Sequence, residues 1–177
     1  MSIEERILED TNYKEIIEDL LENDMVNKMR DYNQHFNINC LEHSLNVSYL
    51  TYKWCKRFNL DYKSAARGAL LHDLFLYDWR VKGDRKGLHA FTHPKSALEN
   101  AKKVTKLNAK EKDLILNHMW PVTPELPKYL ETYIVTIMDK YSATMEYKYS
   151  KQKLNRESCK TSENSIYRWF NWLNPLK

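Results

Sequence analysis

Residues 61–79 read DYKSAARGALLHDLFLYDW, and this stretch decides the fold. Asp61 has a side chain suited to capping a helix N-terminus. The small residues Ala65, Ala66, Gly68 and Ala69 leave room for a second helix to approach closely. Among the apolar side chains that follow stand His72 and Asp73. Ionisable groups in such surroundings cost free energy unless something pairs with them. The pattern therefore predicts a buried helix over 61–79 that carries a polar pair with a task.

The neighbouring segments repeat the helical period. Upstream, Leu41, Leu45, Tyr49 or Leu50, and Trp54 line one side of a helix from about Cys40 to Phe58. Before it, Ile3, Ile7, Ile16, Ile17, Leu20, Leu21, Met25, Met29, Tyr32 and Phe36 predict two short helices within residues 1–36, broken near Thr11-Asn12, where one of the two residues serves as N-cap. Residues 37–39 read as a connector. Downstream, residues 80–92 are the most loop-like segment, holding two of the three glycines together with Arg80, Lys82, Arg85 and Lys86. A helix then begins at Thr92 or His93, with Pro94 near its start, and runs to about Thr105. Asn108 caps another that stops before Pro121, and prolines 121, 124 and 127 mark a rigid connection. A long helix from about Lys128 to Tyr149 follows, and the aromatic run IYRWFNWL within 163–173 predicts a C-terminal packing helix. The expectation is an all-α protein of seven or eight helices, one domain over residues 1–177.

Composition narrows the classes further. Three glycines in 177 residues are too few for the tight turns of a sandwich or barrel, and neither GxGxxG nor GxxxxGK occurs. A net charge of +4 without a long basic run permits an anionic substrate and does not point to nucleic acid. The acidic, amphipathic N-terminus lacks a signal-peptide pattern, and no apolar run approaches the ~20 residues of a membrane span. Cys40, Cys55 and Cys159 form neither a disulfide framework nor a zinc knuckle. The chain reads as cytoplasmic, with reduced cysteines.

Six histidines remain to be explained. In chain order, His43, His72-Asp73, His93, His118 and Asp139 give the pattern H…HD…H…H…D, with each element on a separate predicted helix. Inward side chains from several facing helices are how a bundle holds a metal. Imidazole with carboxylate suits Fe, Mn, Zn, Ni or Co better than Mg or Ca, and the absence of thiolate argues against a structural zinc site.

EHSLNVS at 42–48, ALLHDLFLYDW at 69–79 and IVTIMDKYSA at 134–143 resemble the signature segments of the HD-domain metal-dependent phosphohydrolase superfamily. The resemblance spans about residues 40–147 and implies a helical bundle. His93 in HPKSALENA and His118 in LILNHMW resemble the branch that binds two metals. It implies that His43, His72, Asp73 and Asp139 hold one ion, that His93 and His118 hold the other, and that Asp73 bridges. Spacing leaves His89 and His93 both open as ligands. HPxxA is similar to the family's His-Pro helix start, which implies His93.

Two divalent transition metals, iron or manganese first and zinc, nickel or cobalt next, are the implied cofactors. A bridging hydroxide between such ions can attack phosphorus without a protein nucleophile. Leu76 stands where the one-metal nucleotidase branch has a Glu, and the GYP signature is absent after His118. Helix order and compact size are most similar to the diadenosine-tetraphosphate hydrolases. The implied substrate is a small phosphorylated metabolite, a nucleotide or dinucleotide, with no nucleic-acid or membrane partner and with a homodimer permitted. Other HD-fold proteins with this ligand order are di-iron oxygenases, and a non-catalytic nucleotide sensor is the third alternative.

Further candidates surround the ligands. Lys140, next to Asp139, is placed to meet a phosphate as a point charge. Arg67, among small residues shortly before His72, is a second candidate for the same catalytic and substrate-binding task. Arg80, with Lys82, Arg85 and Lys86, suggests a phosphate lid, and Asp78 a general acid or a partner to a histidine. His89 is a candidate substrate contact, and Trp120 a wall of the pocket. His35 is expected in ordinary packing or at the surface.

Overall fold

The computed structural model describes residues 3–35, 38–81 and 87–157. The chain begins with α1 (Ile3–Ile7), α2 (Thr11–Leu21), α3 (Asp24–Asn27), a 3-10 turn (Lys28–Asp31) and a small antiparallel hairpin of β1 (Asn33–His35) and β2 (Ile38–Asn39). Then come α4 (Cys40–Arg57), α5 (Tyr62–Leu71), α6 (His89–Val104), α7 (Ala109–Asn117) and α8 (Leu130–Glu157). The protein is all-α apart from the hairpin. The C-terminal helix expected at 163–173, the lid residues Lys82, Arg85 and Lys86, and the side chain of His35 lie outside the described residues.

Helix starts follow side-chain chemistry. Asn39 accepts from the Glu42 amide while Glu42 reaches back to the Asn39 amide, a capping box that starts α4. Asn108 and Glu111 repeat the device on α7, and Asp61 caps α5 through the Ser64 amide. In the N-terminal segment the cap is Asp10, one residue before the expected pair. Its carboxylate takes the Tyr13 N–H at 3.2 Å, which leaves Thr11 helical.

Two boundaries differ from the sequence reading in ways that shape the site. First, α5 stops at Leu71 instead of continuing to Trp79. The Ala69 carbonyl, which a longer helix would give to the Asp73 amide, instead accepts from the His72 ring at 2.7 Å. The chain then turns, with Leu76 at φ +49°, and Asn100 on α6 donates to the Leu74 carbonyl at 2.9 Å. Second, α6 starts at His89, so Pro94 lies inside the helix and not at its edge. In this first stretch the Thr92 hydroxyl donates to the Leu88 carbonyl and the His93 ring to the His89 carbonyl.

Helix α4 is central, packed against α5 on one side and α8 on the other, while α7 lies against both α5 and α6. One apolar cluster joins the N-terminal helices to α4, α5 and α6 through residues such as Ile17, Leu41, Leu45, Leu70 and Ala101. A second joins α4, α5, α7 and α8 through Val47, Leu50, Ala69, Leu114, Val135 and Met138. Burying each large side chain contributes ~1.5–3 kcal/mol. Gly68 allows α7 to approach α5 closely, because a Cβ there would stand 3.3 Å from the Glu111 Cα and 3.3 Å from Leu114. That contact brings the ends of α5 and α7, and hence His72 and His118, together. Among the described residues no helix is long and apolar enough to cross a membrane.

Candidate metal centre

The centre lies where the end of α5, the end of α7 and the beginning of α6 face the middle of α8 and the first turn of α4. His43, His72, Asp73, His93 and His118 are all buried, and the side chain of Asp139 is 14% exposed. The ligand atoms fall into two triads, His43/His72/Asp73 and Asp73/His93/His118, in each of which all three atoms lie within 4.8 Å of one another. Asp73 belongs to both, one oxygen to each. Its Oδ2 is 3.4 Å from His72 Nε2 and 4.0 Å from His43 Nε2. Its Oδ1 is 3.3 Å from His93 Nε2 and 3.8 Å from His118 Nε2. Asp139 adjoins the first triad, 3.1 Å from His43 Nε2 and 3.7 Å from His72 Nε2.

Each imidazole has its Nδ1–H direction fixed. A carbonyl can only accept, so His72 donates Nδ1–H to Ala69 at 2.7 Å, His93 to His89 at 2.8 Å and His118 to Ile115 at 2.9 Å. His43 points its Nδ1–H at the buried Glu146 carboxylate, 2.9 Å away. All four Nε2 atoms therefore face the centre. Carboxylate or carbonyl support behind a histidine is the usual arrangement around a metal ligand.

Whether these residues fit divalent cations is decided by atoms with nothing else to bind. His72 Nε2 and Asp73 Oδ1 are fully buried and have no hydrogen-bond partner among the described residues. His93 Nε2 and His118 Nε2 stand 2.9 Å apart although both rings donate through Nδ1, so only a shared proton or a cation can occupy the gap. Two nitrogens bound to one ion at ~2.1 Å, at a right angle, stand about 3 Å apart. The two groups of nitrogen and carboxylate donors fit divalent cations.

The electrostatics agree. Burial opposes the charge of Asp73, yet His72 and His93 hold its carboxyl well below the usual range. Burial likewise works against protonated His43, but Glu146 and Asp139 outweigh it and keep its pKa well above the ordinary value. His72 is raised to about 9 by Asp73 and Asp139, again against burial. His118 goes the other way, to about 3, through burial reinforced by His72 and His93. A cluster that gathers protons in this way can release them to a metal.

The remaining candidates divide. Lys140 is beside the centre: its half-buried ammonium donates to the His118 carbonyl at 3.3 Å and the Thr136 carbonyl at 3.5 Å, and burial lowers its pKa. Trp120 follows the same corner and packs its ring on Tyr133 at 5.4 Å. His89 is not in either triad. Its ring stacks on His93 at 4.5 Å and on Trp79 at 5.6 Å and meets the Tyr77 hydroxyl at 3.2 Å, while its carbonyl orients His93.

Arg67 is not brought to the centre. Five residues before His72, it points ~140° around the helix axis. Its guanidinium instead ties α5 to α2, binding Asp19 through both Nη atoms and the Ile16 carbonyl at 2.8 Å. Arg80 is exposed and clamps Asp78 two residues away through Nε and Nη2, both at 2.9 Å. Two residues absent from the sequence reading complete the centre. Glu146 lies two helical turns after Asp139 on the same face of α8, a spacing visible in the sequence. Gln34, in the β1 strand, donates from its carboxamide to Asp73 Oδ2, and nothing in its local pattern marks it.

The protein-family model described as HD domain matches residues 40–144, more than half of the chain. Neither a curated protein nor a solved structure matches it. The matched segment runs from the first residue of α4 into α8 and includes His43, His72, Asp73, His93, His118 and Asp139. By that match, with a buried His/Asp cluster shared among its helices, the chain belongs to the HD-domain family.

Proposed function

We propose that the protein is a two-metal phosphohydrolase that cleaves a phosphoester or phosphoanhydride of a small metabolite, a nucleotide or dinucleotide. The observation that carries this reading is the division of Asp73, whose two oxygens each face a different group of imidazoles. His43, His72, Asp73 and Asp139 would hold one ion, and Asp73, His93 and His118 the second. A bound pair of divalent metals supplies Lewis acidity and an activated water at neutral pH.

The chain's own groups do the rest. Once their protons leave, four oriented imidazoles and two carboxylates form a fixed, pre-organised cage of net negative charge that suits cations. Lys140 adds an ammonium whose hydrogen-bond partners are two backbone carbonyls. It is thus available to a phosphoryl oxygen as negative charge develops there. The Trp120 ring at the His118 corner gives the pocket an apolar wall.

Elemental analysis of protein purified without added metal, combined with phosphate release from a nucleotide and dinucleotide panel, tests the reading. Two transition metals per chain and turnover are expected, and Asp73→Ala should lose both metals together. A metal-free, inactive wild type overturns it. So does oxygen uptake by the reduced iron form with no phosphate release, which assigns the centre to oxygenase chemistry.

A further inference from the structure

Gln34 is a neutral side chain that binds a candidate ligand directly, and we infer that it is the positioning residue that keeps Asp73 in its bridging orientation. The inference rests on the two-metal reading. Its geometry begins with a carboxamide whose direction is fixed. The Cys40 thiol donates to Gln34 Oε1 at 3.0 Å, so the amide nitrogen must face the other way, onto Asp73 Oδ2. The backbone around it is held as well. Trp79 Nε1 donates to the Gln34 carbonyl at 3.3 Å, and the Cys40 amide to the Tyr32 carbonyl at 2.8 Å. The hairpin is thereby tied both to the start of α4 and to the segment following Asp73.

The consequence lies in the lone pairs of Asp73. Gln34 occupies one of those on Oδ2, which leaves that oxygen a single direction toward the His43 and His72 nitrogens. Oδ1, buried and without a hydrogen-bond partner among the described residues, is left for the His93 and His118 side. Turning the carboxylate so that both oxygens served one triad would break the Gln34 bond. The amide also gives a donor without a charge. A glutamate at this position would set a second anion against Asp73.

The test uses the full chain and manganese(II). In the metal-free protein, the Gln34 side-chain amide signal, identified by its loss in Gln34→Ala, should shift when Asp73 is changed to Asn. In a manganese titration followed by electron paramagnetic resonance, the wild type should fill two sites and show a spin-coupled pair. Gln34→Ala should bind the second ion about 10–100-fold more weakly and lose the coupled signal in proportion. Gln34→Glu should be weaker still.

Cys40→Ala, which removes the donor that orients the amide, should move in the same direction, and Cys40→Ser should restore wild-type behaviour. Wild-type affinity and coupling in Gln34→Ala, or an amide signal indifferent to Asp73→Asn, overturns the inference. A wild type that takes up no manganese removes the two-metal reading and this bridging role with it, whereas a Gln34 effect missing from a two-manganese protein removes only the latter.

Discussion

Glu146 offers the sharpest test of how the centre is built. Its carboxylate sits 2.9 Å from His43 Nδ1, both groups buried, on a helix face two turns beyond Asp139. At an effective dielectric constant of ~20, a charge pair at that distance interacts by ~6 kcal/mol before desolvation is subtracted. Desolvation takes back most of it, and the loss of such a partner behind a metal-bound histidine amounts to 10–100-fold in affinity, ~1.4–2.8 kcal/mol. Glu146→Gln should fall at the lower end, because its amide oxygen still accepts from Nδ1–H. Glu146→Ala should fall at the upper end, because it leaves a buried donor unsatisfied at ~1–3 kcal/mol. The effect should be confined to one ion. Glu146 meets the centre at His43, so the Asp73/His93/His118 triad should keep its affinity. Calorimetric titration of chelator-stripped protein with cobalt or manganese resolves the two steps. Wild-type affinities in both variants, or equal weakening of both steps, would refute the idea that Glu146 orients a single ligand.

Acidity provides a second check. In the metal-free protein His72 holds its proton up to about pH 9, so its contribution to stability is full below ~6.5 and lost as pH rises through 9. Metal must displace that proton, so affinity rises over the same range. Melting curves from pH 6 to 9.5 should therefore show a widening gap between loaded and chelated protein, and a narrowing gap would contradict this protonation pattern. Lys140→Ala should lower kcat/KM for a phosphorylated substrate by ~10²–10³ with metal content unchanged, and full activity would remove Lys140 from phosphate contact. Arg67→Ala should cost ~1–2 kcal/mol in urea unfolding, since a partly exposed ion pair and the hydrogen bond to the Ile16 carbonyl are lost, yet leave turnover per folded molecule intact. Lost turnover at retained stability would return Arg67 to the site.

His43, His72, Asp73, His118 and Asp139 stand out in the sequence because ionisable groups recurring in apolar helical surroundings demand a shared partner, and the structure brings them together. Spacing leaves His89 and His93 both open, and only the His-Pro resemblance favours His93. The order of the helices and their Asp61 and Asn108 caps are legible for equally local reasons, whereas Asn39, part of the expected connector, is the cap of α4 that the sequence reading lacks. Arg67 was misread because helical spacing says which residues share a face and not which face meets the site. Its small neighbours looked inward, while its own head turned to Asp19. The stop of α5 at Leu71 depends on a ring nitrogen capturing the Ala69 carbonyl, a contact that propensity does not encode. Gln34 was silent because a three-residue strand has no periodicity to read, and its reach to Asp73 exists only once the hairpin lies across α4.

The carbonyls of Ala69 and Ile115 lie among the last four of α5 and α7, positions that a helix leaves without an intrahelical donor. His72 and His118 fill those vacancies with the same N–H that aims their other nitrogen inward. Ligand and helix stop are thus one object. Fraying a single turn at either end would misdirect an imidazole, and a cation seated on the far side of the ring would in turn resist the fraying. With a cation bound, backbone amide exchange at the ends of these two helices would become a gauge of occupancy, and the centre would act as a rivet for the layers it joins.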